Sequence, residues 1–351
     1  MFKECIDKIQ WNDFIDDSSL TDILQSWQWG DVKQIEGWKP FRLVYEVDGR
    51  VIIAAQVLLK SVRYLGHLAY IPHGPVFSRE YFKSAGYSAL FKSSEWLNYE
   101  NELRRWAKAH GVFMIEIEPK IAMNEVNSIS TLRLTGRNRQ PKYKLILDIT
   151  RENEMILGDM KKNTRYNINY AVKKGVKLRK YTPQEVLANP NVLDTFYELV
   201  QDMQKRTKGY PVRSKSYFRK LFEEFKDTDK LMILEVSYEN KVIAMNISQF
   251  TPHWASSFYA GSNRLYPNLK APYLLRWESI LEAKTRGCQT YDFWGIVPDS
   301  KHHKGYSDHK LSFGGQRIDF AGIWAIDLGW KAIIWELALK IQNILIKLKY
   351  S

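Results

Sequence analysis

Apolar positions along this chain follow two rhythms that alternate from end to end. Phe41-Arg-Leu-Val-Tyr-Glu-Val and Val51-Ile-Ile-Ala-Ala-Gln-Val-Leu-Leu read as strands, joined by a hairpin turn at Asp48-Gly49. Leu68-Ala-Tyr-Ile and Phe113-Met-Ile-Glu-Ile-Glu read as further strands, stopped by Pro72 and Pro119. Between them Ser88 to His110 carries apolar residues at helical spacing (Leu90, Leu97, Leu103, Trp106), with Gly111 at the C-cap. After a polar stretch from Asn124 to Lys144 the plan repeats. Lys144-Leu-Ile-Leu-Asp-Ile predicts a strand, and helices are expected over 152–174, 191–205 and 216–226, the last capped by Ser216. Leu231-Met-Ile-Leu-Glu-Val-Ser and Val242-Ile-Ala-Met-Asn-Ile-Ser-Gln form a second hairpin. Asp48-Gly-Arg-Val-Ile and Glu239-Asn-Lys-Val-Ile share one order of turn, basic residue and Val-Ile, which points to a duplicated α/β unit. The tail, 331–349, repeats Ile333, Ile334, Leu337, Ala338, Ile341, Ile344, Leu345 and Leu348 at helical spacing, with Glu336, Lys340, Asn343 and Lys347 on the other face. It reads as a terminal helix that either packs on the core or touches a membrane surface.

Composition narrows the class. The 351 residues are 45% hydrophobic and 26% charged, ordinary for a globular chain and too apolar for wholesale disorder. Two cysteines, Cys5 and Cys288, exclude a disulfide scaffold and a cysteine zinc site. His302-His303 cannot share a helix face and reads as an exposed loop, so no metal is expected. The N-terminus is charged where a signal peptide needs an apolar run, and no apolar stretch reaches the ~18 residues of a membrane span. A cytoplasmic monomer is therefore the expectation. With 52 Lys and Arg against 39 Asp and Glu, the formal charge is +13, which points to an anionic partner (nucleic acid, nucleotide phosphates or an anionic membrane face) or else serves solubility.

The basic residues are concentrated. Lys161, Lys162, Arg165, Lys173, Lys174, Lys177, Arg179 and Lys180 occur in a run without an acid. Ile168 and Val172 would dock that helix and leave the cations either to a polyphosphate or to solvent. A Gly/Pro loop carries Arg206, Lys208, Arg213 and Lys215 with Tyr210 and Tyr217 between them, a composition suited to a diphosphate. Phe258-Tyr-Ala-Gly-Ser-Asn and Tyr291-Asp-Phe-Trp-Gly-Ile are strands running into turns. Lys310, just before Gly314 and Gly315, is suited to developing negative charge. Neither a Walker loop nor a GxSxG elbow is present.

In this order and spacing these pieces resemble one family. With Trp27-Gln-Trp-Gly-Asp-Val-Lys, His73-Gly-Pro-Val-Phe, the Lys-Asn-Thr-Arg-Tyr-Asn-Ile run, Ala271-Pro-Tyr and the Lys310 segment, the chain resembles the Fem aminoacyl-tRNA-dependent peptidyltransferases of peptidoglycan bridge synthesis. It is similar to the members without a coiled-coil arm. The resemblance implies an α/β fold of two GNAT-like domains, each a mixed sheet flanked by helices: 1–144 completed by 318–351, and 145–317. It implies transfer of glycine, alanine or serine from aminoacyl-tRNA to a stem-peptide amine on lipid II or a UDP-linked muropeptide, with no cofactor beyond the charged tRNA. Residue by residue, it implies that Lys33 and Arg213 grip the carrier diphosphate with Tyr217, and that Tyr259 walls the peptide groove. Lys310 would stabilise the transition state, with Glu118 as a candidate base. Where similar proteins carry an aromatic residue before the lysine, this chain has His309, which either packs as a neutral ring or titrates. The basic run, Lys161, Lys162, Arg165, Lys173 and Lys174, would face tRNA. The competing readings are an acyl-CoA transferase, for which Arg133-Leu-Thr-Gly-Arg-Asn is an incomplete pyrophosphate turn, and a non-catalytic RNA- or membrane-binding protein on the same fold.

Overall fold

The two hairpins fold alike in detail. The computed structural model describes residues 1–18, 22–81, 87–128, 132–206, 212–298 and 304–350. Strands β2 (Lys39–Val47) and β3 (Arg50–Val62) meet at a turn with φ of 50° at Asp48 and 76° at Gly49. Strands β10 (Leu231–Tyr238) and β11 (Lys241–Phe250) meet at one with 49° at Glu239 and 60° at Asn240. Two left-handed residues in succession make the turn that matches strand twist. Both hairpins then slip register at the same point, between Tyr45 and Glu46 and between Val236 and Ser237. The extra residue is Ile52 in one and Ile243 in the other, the isoleucine of the shared Val-Ile.

Each hairpin anchors a seven-strand path. In the first unit (1–18, 24–140 and 320–351) the order is β1-β2-β3-β4-β6-β15-β7. Its other members are β1 (Phe2–Glu4), β4 (Gly66–Pro72), β6 (Val112–Glu118), β7 (Arg133–Leu134) and β15 (Trp324–Asp327), and a short β5 (Val76–Phe77) pairs with β3. In the second unit (19–23 and 141–319) the order is β14-β8-β13-β12-β11-β10-β9. These are β8 (Tyr143–Asp148), β9 (Lys177–Tyr181), β12 (Trp254–Ser262), β13 (Thr290–Gly295) and β14 (Gln316–Asp319) with the second hairpin. Each sheet holds one parallel pair, β4–β6 and β12–β13, and is otherwise antiparallel. A strand from outside the unit's central run is inserted beside it: β15 between β6 and β7, and β8 between β13 and β14. Each unit has its own apolar core. The first centres on Trp96, Tyr99, Phe77 and Phe91, the second on Leu234, Phe293, Phe313 and Ile280.

Several element limits depart from the sequence reading. The helix expected over 88–110 is split into a short turn, Tyr87–Leu90, and a helix, Ser94–Ala109, which Ser93 caps by accepting the Trp96 amide; Leu97 lies outside its buried stripe. The helix expected over 152–174 is two, Asn153–Asp159 and Lys162–Lys173, separated by extended backbone at Met160 and Lys161. Ser214, not Ser216, caps the helix Lys215–Phe225: its backbone is extended and its Oγ accepts the Tyr217 amide at 3.1 Å.

Candidate active site

In the second unit β12 and β13 pair over only three positions, Trp254–Thr290 to Ser256–Asp292. Beyond them β13 turns sharply at Trp294, whose φ is +62°. A bulky residue in the left-handed region needs support, and Asp292 supplies it: Oδ1 accepts the Trp294 amide at 2.7 Å. The other oxygen, Oδ2, accepts a hydrogen bond from Lys144 Nζ at 2.9 Å, with both side chains 1% exposed. Lys144 also lies 4.1 Å from the Trp294 ring.

Lys310 enters from the helix Lys304–Leu311, which is tied to the end of β13 where Ser307 Oγ accepts the Val297 amide at 3.0 Å. Its Nζ is fully buried and donates to the Gly295 carbonyl at 2.8 Å and to the Tyr306 hydroxyl. Burial holds this amine well below the usual lysine range; Arg276 and Lys144 push the same way, and Asp292 opposes them. Lys310 thus feels two further buried cations, Arg276 and Lys144, and one buried carboxylate, Asp292, which is paired to Lys144. An excess of positive charge in a dry setting is what a developing oxyanion requires. His309 packs edge-on against Tyr273 at 4.5 Å and Phe313 at 5.4 Å. Burial, then Arg276 and Lys310, depress its pKa to about 3. The imidazole is therefore a neutral ring at physiological pH and does not titrate near 6.5.

The same cluster continues to Arg213. The Trp294 ring meets Phe258 at 5.0 Å, Phe258 meets Tyr259 at 4.4 Å, and the Tyr259 and Tyr217 hydroxyls are 3.1 Å apart. The Arg213 guanidinium lies 5.3 Å from the Tyr217 ring. Tyr217 is buried and its hydroxyl is pushed up by burial and by Tyr259, so it supports Arg213 and Tyr259 from beneath. Arg213, Tyr217, Tyr259 and Lys310, scattered over nearly 100 positions in sequence, are joined by one chain of contacts through Phe258, Trp294 and Gly295. Lys208 and Tyr210 lie outside the described residues, as does His302-His303.

Lys33 and Glu118 belong to the first unit. Lys33 closes the helix Trp27–Lys33, pairs with Glu36 and lies 5.5 Å from the Trp29 ring. A cavity of about 400 Å³ lined by Gln34, Trp38, Lys39, Pro40 and Arg42 opens in the same segment. Glu118 ends β6, buried. Its Oε2 accepts from the Tyr70 hydroxyl at 2.5 Å, and its Oε1 accepts from the Arg139 and Gln140 amides at 2.9 and 3.0 Å. Burial raises its pKa while these three donors pull it down. Arg133 sits in β7, ion-paired to Asp327 and Glu336, with Arg137 paired to Glu116 and Glu336. The Arg133 segment is thus a strand and a salt-bridge network in place of a pyrophosphate turn.

The basic helix Lys162–Lys173 buries Thr164, Ile168 and Ala171, and Val172, expected on the docked face, is 56% exposed. The reason is angular: 164, 168 and 171 fall within one stripe at helical spacing, and 172 is rotated out of it. Lys161, Lys162, Lys173, Lys174 and Lys177 are exposed and form no ion pair with a described carboxylate. Two members of the run have protein partners instead. Lys180 pairs with Glu282 at 2.6 Å. Arg165 donates to the Leu157, Gly158 and Met160 carbonyls, closing the end of the preceding helix. The Lys161 amide donates to the Ser312 carbonyl at 3.0 Å, joining this helix to the turn that follows Lys310.

The FemAB family model matches residues 6–134, 130–249 and 236–328. The chain belongs to the FemAB family. Among curated relatives of this FemAB chain are the lipid II:glycine glycyltransferases of Staphylococcus haemolyticus, 23% identical over 240 residues, and of Staphylococcus aureus strain MRSA252, 23% identical over 250. The matches cover 64% and 67% of this chain and 53% and 55% of the relatives, so the chain spans about half the length of the curated relatives it matches. Its fold is that of the solved structure of FemX, with a TM-score of 0.82 at 17% identity over 96% of this chain and 99% of that one. A tandem GNAT protein of the clavulanic acid pathway aligns at 0.53, with 12% identity over 94% and 98%. The fold class expected from sequence, two GNAT-like units of mixed sheet and helix, is the one observed.

Four residues of this FemAB site were not singled out in the sequence: Lys144, Asp292, Trp294 and Arg276. Their signal was present. Lys144 and Asp292 are charged residues inside otherwise apolar strands, and such a residue is buried only if another meets it.

Proposed function

We propose that this FemAB chain moves an aminoacyl group from aminoacyl-tRNA to an amine of a peptidoglycan precursor. Glycine is the favoured residue and lipid II the favoured acceptor, following the names of the curated relatives. The observation that carries the reading is Lys310 with its neighbours: a buried lysine amine near Lys144 and Arg276, at the end of a chain of contacts that leads to Arg213. In the reaction the acceptor nitrogen attacks the ester carbonyl. A C–N bond forms, the C–O bond to the ribose breaks, and the amine proton leaves as the ribose oxygen gains one. Lys310 stabilises the oxyanion between these events, while Tyr259 lines the peptide groove and His309 shapes the lysine's channel as a neutral ring. Arg213 binds the carrier diphosphate in the second unit, with Tyr217 positioning it, and Lys33 is the phosphate-binding cation proposed for the first. Lys161, Lys162, Lys173 and Lys174 face the tRNA backbone; Arg165 serves that helix from within. Glu118 is the acidic group proposed as proton acceptor. No metal or cofactor is assigned a role. The ion pairs of Arg133 and Arg137 weigh against an acyl-CoA reading.

The test is a transfer assay crossing a panel of charged tRNAs with lipid II and with UDP-linked pentapeptide, read by mass spectrometry. The expected product is the precursor carrying one added glycine, formed from glycyl-tRNA. Lys310→Ala is expected to lower kcat about 100- to 1,000-fold. Absence of product with every charged tRNA, alongside turnover of acetyl-CoA, would replace this reading with the acyl-CoA one.

A further inference from the structure

The helix Trp330–Tyr350 has two faces of different use. Ala332 packs in a small cluster with Leu68, Phe113 and Met114, Trp335 meets the Phe113 ring at 6.0 Å, and Glu336 is paired to Arg133 and Arg137. At about 100° per residue these three point to one side. Ile333, Ile334, Leu337, Ile341, Ile344 and Leu345 fall within an arc of about 120° centred on the opposite side. All six are between 43% and 64% exposed, and the stripe runs for about 18 Å along the axis. Packing on the core was one expectation for this tail. The core is met instead by the other face, near the helix start. Lys331 and Lys340 lie at the two borders of the stripe, each about 80–100° from its centre. Trp330, 66% exposed, begins the same stripe.

An aliphatic band with lysine on both borders and no acid within it matches a negatively charged lipid surface. It does not match a second copy of the chain, because a paired helix would bring lysine borders together without the opposite charges that such pairs use. Among the described residues, no helix is long and apolar enough to cross a membrane. We propose that this helix lies flat on an anionic bilayer, its Ile/Leu stripe among the acyl chains and its lysines at the headgroups. The surface rests on the helix alone; its purpose, delivery of the enzyme to a lipid-linked acceptor, rests on the function proposed above.

The probe is vesicles of phosphatidylglycerol and phosphatidylcholine, sedimented with the full-length chain and no precursor present. Wild type is expected to pellet with the vesicles and to be released by salt. Leu337→Asp with Ile341→Asp is expected to lower partitioning at least about tenfold, and so is the independent pair Ile333→Asp with Leu345→Asp. Lys331→Glu with Lys340→Glu is expected to lower it about tenfold or more on anionic vesicles only. Each variant should keep its wild-type melting temperature and its transfer to the soluble UDP-linked precursor. The proposal is overturned if wild type stays in the supernatant, or if the stripe variants pellet as wild type does. It is also overturned if the Asp variants turn a dimer into a monomer in a protein that ignores vesicles, which would make the stripe a self-association face. Vesicle binding without any aminoacyl transfer would remove the proposed function and leave the surface standing. Transfer to soluble precursor without vesicle binding would do the reverse.

Discussion

Lys310 is a lysine whose burial works against its own charge, and this sets how the proposed transfer should respond to pH. Its pKa is depressed, so the ammonium is present below that lowered value and lost as pH rises through it. Transfer that depends on the cation should decline on the alkaline side earlier than a solvated lysine would permit. Lys310→Arg keeps a charge that does not titrate, so in the kcat profile that decline should move to higher pH even if the maximum falls. Asp292→Asn tests the partner. Asp292 raises the Lys310 pKa and pairs with Lys144; without it the alkaline decline should move to lower pH. Losing the carboxylate that Lys144 meets should destabilise the second unit by about 3–5 kcal/mol, seen in denaturant melts. Glu118→Gln keeps a carbonyl oxygen to accept from the Arg139 and Gln140 amides. A loss of about 100-fold in kcat would mark Glu118 as a proton acceptor, and a change below tenfold would mark it as a clasp for residues 139 and 140. These contacts differ in how far they could be read from sequence. Arg213, Tyr217 and Tyr259 announced themselves by residue type and motif. Lys144 and Asp292 carried a signal only of burial, as charges within strands; that they meet each other, 148 positions apart, appears only when the sheet pairs β8 with β13.

At the scale of elements, the basic helix divides its charges between support and surface. Arg165 caps the preceding helix, so Arg165→Ala should cost about 1–2 kcal/mol of stability while leaving the salt dependence of tRNA-dependent transfer as in wild type. Lys173→Glu with Lys174→Glu should weaken tRNA use and flatten that salt dependence, with no change in melting temperature. Transfer rates measured from low to high salt, beside thermal melts, separate the two. The sequence reading grouped these residues because a charge run carries no mark of which members have partners. Lys180 and Arg165 found theirs through tertiary contacts. The hairpins were legible for the opposite reason. A turn with two left-handed residues and a bulge at a fixed isoleucine depends on local backbone, and local backbone is written in local sequence. Helix limits fell between these cases: the break at Met160 follows from the Lys161 amide meeting Ser312, a contact 151 positions away.

Across the whole molecule, the exchange of strands decides which pieces of the chain can stand alone. β15 lies between β6 and β7, pairing with both. A chain ended at Asp319 leaves β6 with an unpaired edge and removes Ile323, Trp324 and Ile326 from the first core. Its first unit is expected to be unfolded by protease sensitivity and circular dichroism, while the second unit keeps all seven of its strands. A chain ended at Leu328 retains β15 and should fold, with a melting temperature lowered by the loss of Ala332, Trp335 and Glu336. This organisation was partly readable. The repeated hairpin pointed to two units, whereas insertion of the last strand into the first sheet left no local trace and entered only through the family resemblance.

The same insertion sets an order of events on the ribosome. Residues 1–140 emerge first, but their sheet waits for β15, which follows the whole of the second unit in the chain. The second unit needs nothing beyond residue 319 and can close before β15 has emerged. The nascent first half must therefore be kept from aggregating while the second unit is made. A nascent chain stalled with residue 319 outside the exit tunnel and Trp324 still within it should hold a folded second unit and a protease-sensitive first.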